Sequence, residues 1–150
     1  MSELHRPPLL VARTLAQNEK GEILMVKRTP TANHNANLWE FPGGKVDEED
    51  ATVKTAQVRE FYEETQLMVT PTSELVLVGN RTILSGKHAG KLYAILCGTG
   101  QLQSGEPILS KEHTDARWIL PDFDPSDKRW VTQETKNAVR ILGGLGLISS

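Results

Sequence analysis

Three glutamates that lie close together in the chain are the residues best suited to chemistry. Glu60, Glu63 and Glu64 are separated by three and one residues, so on an α-helix of about 3.6 residues per turn they share one edge. Like charges at this spacing repel by a few tenths of a kcal/mol on an isolated helix, and a divalent cation would remove that repulsion. Because carboxylate oxygens suit Mg²⁺ and Mn²⁺, the cluster is a candidate metal site. A solvated acidic face is the alternative.

These glutamates need a helix to hold them, and the sequence predicts one over residues 51–65 after an acidic loop at residues 47–50. On a helical wheel, Val58, Phe61 and Tyr62 fall opposite the carboxylates and are predicted to be buried. Arg59 can pair with Glu63 or with an acid of the preceding loop.

The segment before the helix, Pro42-Gly43-Gly44, is predicted to break regular structure. Its glycines would let the backbone approach ions and phosphates closely, and the carbonyl of Gly44 can serve as a metal ligand. Lys45 can hold phosphate charge as a point cation. The alternative interpretation of this segment is a simple turn.

Residues 39–67 closely resemble the signature of the Nudix hydrolases. They read Trp-Glu-Phe-Pro-Gly-Gly-Lys, then an acidic loop, then Arg-Glu-Phe-Tyr-Glu-Glu-Thr-Gln-Leu. The lead-in around Glu40 is similar to the MutT-like branch, which cleaves nucleoside triphosphates. The resemblance implies an α/β fold, the Nudix-type α/β/α sandwich with a mixed β-sheet between helices, in a single domain over residues 1–150.

Site residues also follow from this resemblance. It implies catalytic roles for Arg59 and for the three glutamates, and it makes Gly44 and the three glutamates the metal ligands: Glu60, Glu63 and Glu64. It further implies that Glu40 binds substrate, together with Lys45.

The motif departs from the family pattern at two positions. The family places a glutamate six residues after the second glycine, where this chain has Asp50, and Arg59 follows nine residues later. Either Glu49 or Asp50 must therefore fill the first acidic position. The usual glycine near the end of the motif is Gln66, where a glycine would permit a left-handed helix end.

Two further candidates lie outside the motif. Glu112 precedes Trp118 by six residues, and a similar glutamate of MutT-like proteins completes the metal site or activates water, so Glu112 is predicted to be both catalytic and metal-binding. An exposed loop acid is the alternative, and Glu106 is the nearest competitor. Arg28 ends a predicted strand and resembles an arginine that Nudix proteins carry near the phosphates, although a solvated charge at the strand edge explains it equally well.

The remaining elements are predicted from apolar runs and turn residues. Residues 9–15 and 23–26 form a hairpin, further strands cover residues 75–78, 92–97 and 116–120, and a second helix covers residues 132–142, capped by Gly143. The four histidines show no paired metal spacing and are expected in loops or at the surface. Cys97 is expected to be buried.

Composition narrows the class of protein. The chain has 150 residues, 38% of them hydrophobic and 24% charged, with a formal net charge of -2, which fits a globular domain and argues against binding to a DNA or RNA polymer. No apolar run is long enough to span a membrane, and no signal peptide is evident. A single cysteine fits a cytoplasmic location.

The function expected is that of a Mg²⁺-dependent hydrolase, with Mn²⁺ also suitable, that cleaves a nucleoside triphosphate to a monophosphate and pyrophosphate. Oxidised or non-standard nucleotides are among the candidate substrates. One alternative is a nucleoside diphosphate linked to a sugar or second nucleotide, and another is a non-catalytic nucleotide-binding module. Loops at residues 33–37, 81–88 and 123–133 are expected to recognise the base, which the sequence does not name. The resemblance allows a homodimer.

Overall fold

A computed structural model describes residues 7–103 and 105–150 of the chain. This part contains eight strands and two helices. The strands are β1 (Leu9–Gln17), β2 (Ile23–Arg28), β3 (Trp39–Glu40), β4 (Gly43–Lys45), β5 (Val69–Pro71), β6 (Val76–Thr82), β7 (Leu92–Leu102) and β8 (His113–Ile119). The helices are α1 (Val53–Thr65) and α2 (Gln133–Gly144). None of the described helices is long and apolar enough to cross a membrane.

Strand β1 is the centre of one mixed sheet. It runs parallel to β7 along its whole length, from the Leu9–Tyr93 pair to the Gln17–Gln101 pair. Its other edge pairs antiparallel with β2 only at Gln17, next to the hairpin turn, and with β4 near its beginning. Strands β3 and β8 both pair with β2. Strands β5 and β6 pair one after the other with the edge of β7 that faces away from β1. The predicted hairpin is thus confirmed, and β2 diverges from β1 to make room for β4.

The two helices cover opposite faces of this sheet. Val11 and Leu15 of β1 belong to a buried cluster that includes Ala138 and Leu142 of α2. A second cluster contains Ala16 of the same strand and Phe61 of α1. Since side chains alternate between the faces of a strand, the sheet separates the helices, and the predicted α/β/α sandwich is confirmed.

Helix α1 differs from the predicted wheel. Phe61 is buried as predicted, but Tyr62 is 47% exposed, whereas Glu64 is only 4% exposed. The wheel assumed one neighbouring surface, but α1 contacts β1, β4 and β5. Those contacts cover the edge that carries Glu64, so the three carboxylates do not share one environment.

The structure also corrects the predicted elements at three places. Gly43 and Gly44 do not break the structure but form β4, paired with Arg13 and Ala12 of β1. Helix α2 continues through Gly143 and Gly144, and its cap is Leu145. Strand β8 begins three residues earlier than expected, at His113, which is buried rather than in a loop at the surface.

Candidate active site

One cavity of about 550 Å³ brings together residues from distant parts of the chain. Its lining includes carboxylates from α1 and from the loop before β8, and it also includes cationic side chains. These residues are Glu60, Glu64, Glu112, Arg28, Lys45 and Lys111. A cavity with both charges can hold metal ions and phosphate groups side by side.

Two glycines of β4, Gly43 and Gly44, line this cavity where the strand lies against β1 and α1. A Cβ atom on Gly43 would collide with the Ala12 carbonyl oxygen, and one on Gly44 would collide with the Glu60 carboxylate. At Gly43 the obstacle is backbone, so a side chain does not fit there, whereas at Gly44 the Glu60 side chain would have to move. The Gly44 backbone therefore lies beside Glu60, and the close approach of this segment to ions and phosphates stays a prediction.

Arg59 organises the acidic residues at the start of the site. Its guanidinium donates to both carboxylate oxygens of Asp50, at 3.0 Å from Nε and 2.8 Å from Nη2. It also donates to Glu60 at 2.9 Å and to Glu63 at 2.8 Å. The hydrogen bonds to Asp50 are the main reason that the pKa of Arg59 is raised and that the pKa of Asp50 is lowered. Arg59 thus holds two of the glutamates, Glu60 and Glu63, close together.

Glu64 is the buried member of the carboxylate group. Its Oε1 atom accepts a hydrogen bond of 3.0 Å from the backbone N–H of Gly43. Burial raises the pKa of Glu64 to about 9, even though Arg13 and the Gly43 N–H both favour the ionised form. The Glu112 carboxyl lies within hydrogen-bonding reach and contributes to the same rise.

The loop before β8 is fastened to the end of α1, which explains how Glu112 reaches the site. The backbone N–H of Ile108 donates to the Thr65 carbonyl at 2.8 Å, and that of Ser110 donates to the Glu64 carbonyl at 3.2 Å. Glu112 therefore lines the same cavity as Glu60 and Glu64, although about fifty residues separate them in the sequence. Glu106 lines a different cavity, near Trp118.

Glu40 lies beneath the cavity rather than on its lining. This carboxylate is 2% exposed and is surrounded by Arg13 at 3.3 Å, Arg28 at 3.1 Å and His113 at 3.0 Å. Burial alone would raise the pKa of Glu40, but Arg13 and the His113 hydrogen bond outweigh it and hold that pKa at about 2. Because its oxygens already contact three side chains of the protein, Glu40 is placed to hold those neighbouring residues in position.

The donor set fits a hard divalent cation. All the candidate ligand atoms are oxygens, from the carboxylates of Glu60, Glu63, Glu64 and Glu112 and from the Gly44 carbonyl, and Mg²⁺ or Mn²⁺ favours such ligands. Within residues 7–103 and 105–150, however, no three acidic, histidine or cysteine side chains already enclose a metal position. Arg59 bonds Glu60 and Glu63, and Glu64 faces Gly43, so these side chains would have to reorient to coordinate an ion.

The three segments expected to recognise a base each contribute a residue to a second cavity, of about 450 Å³. Asn35 comes from the loop after β2, Arg81 lies near the end of β6, and Gln133 is the first residue of α2, which also contributes Asn137. The loop that follows β2 contributes Ala32 to the first cavity and Asn35 to the second. This loop therefore links the charged cavity to a cavity with amide side chains, which can donate and accept hydrogen bonds.

Comparison with known proteins decides the family. A NUDIX domain model matches residues 7–133 of the chain. The chain belongs to the Nudix family. Comparison with curated protein sequences gives no match.

Solved structures agree with this assignment at the level of the fold. They include a MutT protein from Methanosarcina mazei Go1, with 23% identity, a TM-score of 0.69, and coverage of 93% of this chain and 96% of that one. A C. elegans Ap4A hydrolase is similar at 18% identity and a TM-score of 0.61, covering 91% and 98% of the two chains. An ADP-ribose pyrophosphatase from Streptococcus suis has 23% identity and a TM-score of 0.58, covering 90% and 92%. As a member of the Nudix family, the protein is a hydrolase that acts on phosphoric anhydride bonds, and the family generally uses divalent metal ions.

Both departures from the Nudix motif are visible in the structure. Asp50, rather than Glu49, makes the bidentate pair with Arg59. Gln66 takes the left-handed conformation, with φ 59° and ψ 20°, where a glycine is usual. Its N–H donates to the Tyr62 carbonyl at 2.7 Å, which helps to offset a conformational cost of about 1 kcal/mol.

Sequence reasoning missed two residues beside this site. Arg13 lies within the apolar run of β1, and a single charge in such a run could have indicated a buried ion pair. Its Nη1 atom donates to the Phe41 carbonyl at 2.9 Å besides pairing with Glu40. The second residue is His113. Its spacing from the other histidines carries no information about a partner that is distant in the sequence, such as Glu40.

Replacing Glu40 by glutamine is expected to destabilise the protein strongly. The change removes the charge that Arg13 faces, and an unpaired buried charge costs about 3–5 kcal/mol. Urea denaturation at pH 7 measures this loss. The pKa of Glu40 in the folded protein, about 2, lies below its ordinary value of 4.5, so its ionised form stabilises the fold above pH 4.5. The difference between wild type and Glu40→Gln should therefore shrink as the pH falls from 4.5 towards 2.

Glu74→Gln is the matched control for this substitution. Glu74 pairs with Lys54 at 3.1 Å, but its side chain is 89% exposed, and surface pairs contribute about 0–1 kcal/mol. Equal losses in the two variants would show that the buried pairing of Glu40 does not stabilise the fold.

Proposed function

We propose that this Nudix hydrolase cleaves a nucleoside triphosphate to a nucleoside monophosphate and pyrophosphate, with Mg²⁺ or Mn²⁺ as its cofactor, and that the chain acts as one domain. The observation that carries the proposal is the single cavity lined by Glu60, Glu64 and Glu112 as well as by Arg28 and Lys45. Carboxylates suit the cation, and the nearby cationic side chains suit a polyphosphate that brings several negative charges.

Each group then has a role that its position supports. Glu60, Glu63 and Glu64, with the Gly44 carbonyl, would hold the cation, which when bound polarises a phosphate and lowers the pKa of the attacking water. Arg28 and Lys45 would bind phosphate oxygens. Glu112, on a loop rather than on α1, would accept the proton of the water whose oxygen bonds to phosphorus as the anhydride bond breaks.

The second cavity gives the substrate a place for its base. Asn35, Gln133 and Asn137 line it, and its volume of about 450 Å³ is in the range of small-molecule sites. Asn137 already donates to the Val78 carbonyl at 2.7 Å, so its amide is fixed in one orientation. Dinucleoside polyphosphates and ADP-ribose are the substrates named for two of the similar structures, and they form the alternative class.

A substrate panel tests the proposal. Nucleoside triphosphates, including oxidised ones, are compared with a dinucleoside tetraphosphate, ADP-ribose and a UDP-sugar, and pyrophosphate and phosphate are measured separately. We expect pyrophosphate release from a triphosphate that requires Mg²⁺ or Mn²⁺ and stops in excess chelator. A preference for a linked diphosphate would replace the proposed substrate by the alternative class. Tight binding without cleavage of any compound would indicate a binding module instead.

Glu64→Gln is expected to lower turnover at least about a hundredfold without unfolding the protein. The amide oxygen of glutamine can still accept the Gly43 N–H, while the neutral group is a poor metal ligand and carries no buried charge. The melting temperature of the metal-free variant should be unchanged or higher. Glu63→Gln should give a similar loss of turnover, and Glu19→Gln, an exposed acid in the hairpin turn, should retain activity. Full activity in both site variants would exclude these carboxylates from catalysis.

The role of Glu112 is tested by Glu112→Gln, for which we expect kcat to fall at least about tenfold, since a positioned general base contributes roughly 10²–10⁴. Glu106→Gln is the matched control, because Glu106 comes from the same loop region but lines another cavity. Steady-state kinetics at saturating Mg²⁺ make the comparison. Small and equal losses would mean that the base comes from elsewhere, with Glu60 or the acidic loop as the next candidates.

A further inference from the structure

His113 connects the buried ion pairs to the carboxylate cavity. It is the first residue of β8 and directly follows Glu112. The imidazole is fully buried, and its Nε2 atom lies 3.0 Å from Oε2 of Glu40. The other ring nitrogen, Nδ1, has no hydrogen-bond partner in the part of the chain that the structure describes. Oε1 of Glu64 lies 3.9 Å from that nitrogen.

The direction of the hydrogen bond follows from its partner. The Glu40 carboxylate also accepts from Arg28 and pairs with Arg13, and an arginine has no acceptor atom. Glu40 therefore acts as an acceptor throughout, and the imidazole must donate from Nε2–H. The other ring nitrogen, Nδ1, then faces Glu64.

We propose that His113 is a positioning residue of the hydrolytic site: its ring, fixed by Glu40, sets where Glu112 and Glu64 lie relative to each other. This inference rests on the proposed function. His113 does not contact the cavity itself, so it acts through its two neighbours.

The buried ring of His113 is a second anchor for the backbone at Glu112. The first is the fastening of residues 108 and 110 to the end of α1. At position 112 itself the side chain is exposed, and the backbone contacts are a 3.3 Å hydrogen bond from the Thr29 N–H and a 3.4 Å one to the Ser110 hydroxyl, both long. The ring at the next position is held more closely, at 3.0 Å, so the backbone at position 112 is fixed from both sides.

Glu64 is confined from two directions. The Gly43 N–H holds its Oε1 atom at 3.0 Å, and the His113 ring lies across from the same oxygen at 3.9 Å. Within this gap the carboxylate can turn towards the cavity but not into the space that the ring occupies.

Two substitutions separate the hydrogen bond from the volume of the ring. His113→Phe keeps an aromatic ring but removes both nitrogens, and His113→Gln keeps a donor for Glu40. Loss of a residue that orients metal ligands typically costs about 10–100-fold. We therefore expect His113→Phe to lower kcat at least about tenfold, with KM changed less than about twofold, and to weaken Mn²⁺ binding measured by calorimetry. His113→Gln should recover most of both, and Thr114→Ala, an exposed neighbour on β8, should behave as wild type.

A double substitution tests whether His113 acts through its neighbour. If it does, His113→Phe should slow the Glu112→Gln variant several-fold less than it slows the wild type, and the remaining loss is the part that acts through Glu64. Independent, multiplying losses would overturn the proposal. So would equal losses in His113→Phe and His113→Gln, which a general loss of packing would cause, or a larger loss in His113→Gln, which would show that the volume of the ring matters and its hydrogen bond to Glu40 does not.

Long-range ¹H–¹⁵N spectra of the wild-type protein provide a test that needs neither a folded variant nor a substrate. They should show a proton on Nε2, and a bare Nε2 would overturn the proposal even if His113→Phe did not fold. The failure of the proposed function would look different. In that case wild-type protein would cleave no triphosphate in the panel, whatever the spectra and the Mn²⁺ titration showed.

Discussion

The structure depends on one buried carboxylate. Glu40 joins Arg13 of β1, Arg28 at the end of β2 and His113 at the start of β8, so a single charge ties together four strands, its own β3 included. Taking these charges out of water is costly, and a buried pair often stabilises a fold no more than apolar residues of the same volume would. What the pairing provides here is position: breaking it leaves a charge without a partner, so the strand ends are held in one arrangement.

The same arrangement leaves a gap along one edge of β1, and strand β4 occupies it. Because β2 pairs with β1 only at Gln17, the rest of that edge is open, and β4 fills it. Gly43 and Gly44 fit because a side chain at either position would meet the backbone of β1 or the Glu60 carboxylate. The N–H of Gly43 then fixes Glu64. The glycines thus connect the sheet to the helix that carries the acids, and their lack of side chains is what permits the contact.

Much of this could be predicted from the sequence, and the limits have physical causes. The hairpin, the two helices and the α/β/α sandwich follow from local patterns and from a motif whose residues lie within one short segment. The exposure of Tyr62 and the burial of Glu64 could not follow, because a helical wheel shows which residues share a face but not how many surfaces surround the helix. Likewise, the contact between His113 and Glu40 joins residues far apart in the chain, and no local pattern records it.

The individual charges of the site also divide into those whose pairing the sequence predicts and those whose surroundings it does not. Asp50, Glu60 and Glu63 are all held by Arg59 through hydrogen bonds, and the spacing of Arg59 and Glu63 was enough to suggest such a pairing. Burial raises the pKa of Glu60 and, more strongly, that of Glu64, and Glu64 is also the carboxylate that the backbone holds in place. The Gly43 hydrogen bond and the Arg59 ion pairs give these carboxylates partners within the protein. Coordination of an ion would require the side chains to leave those partners.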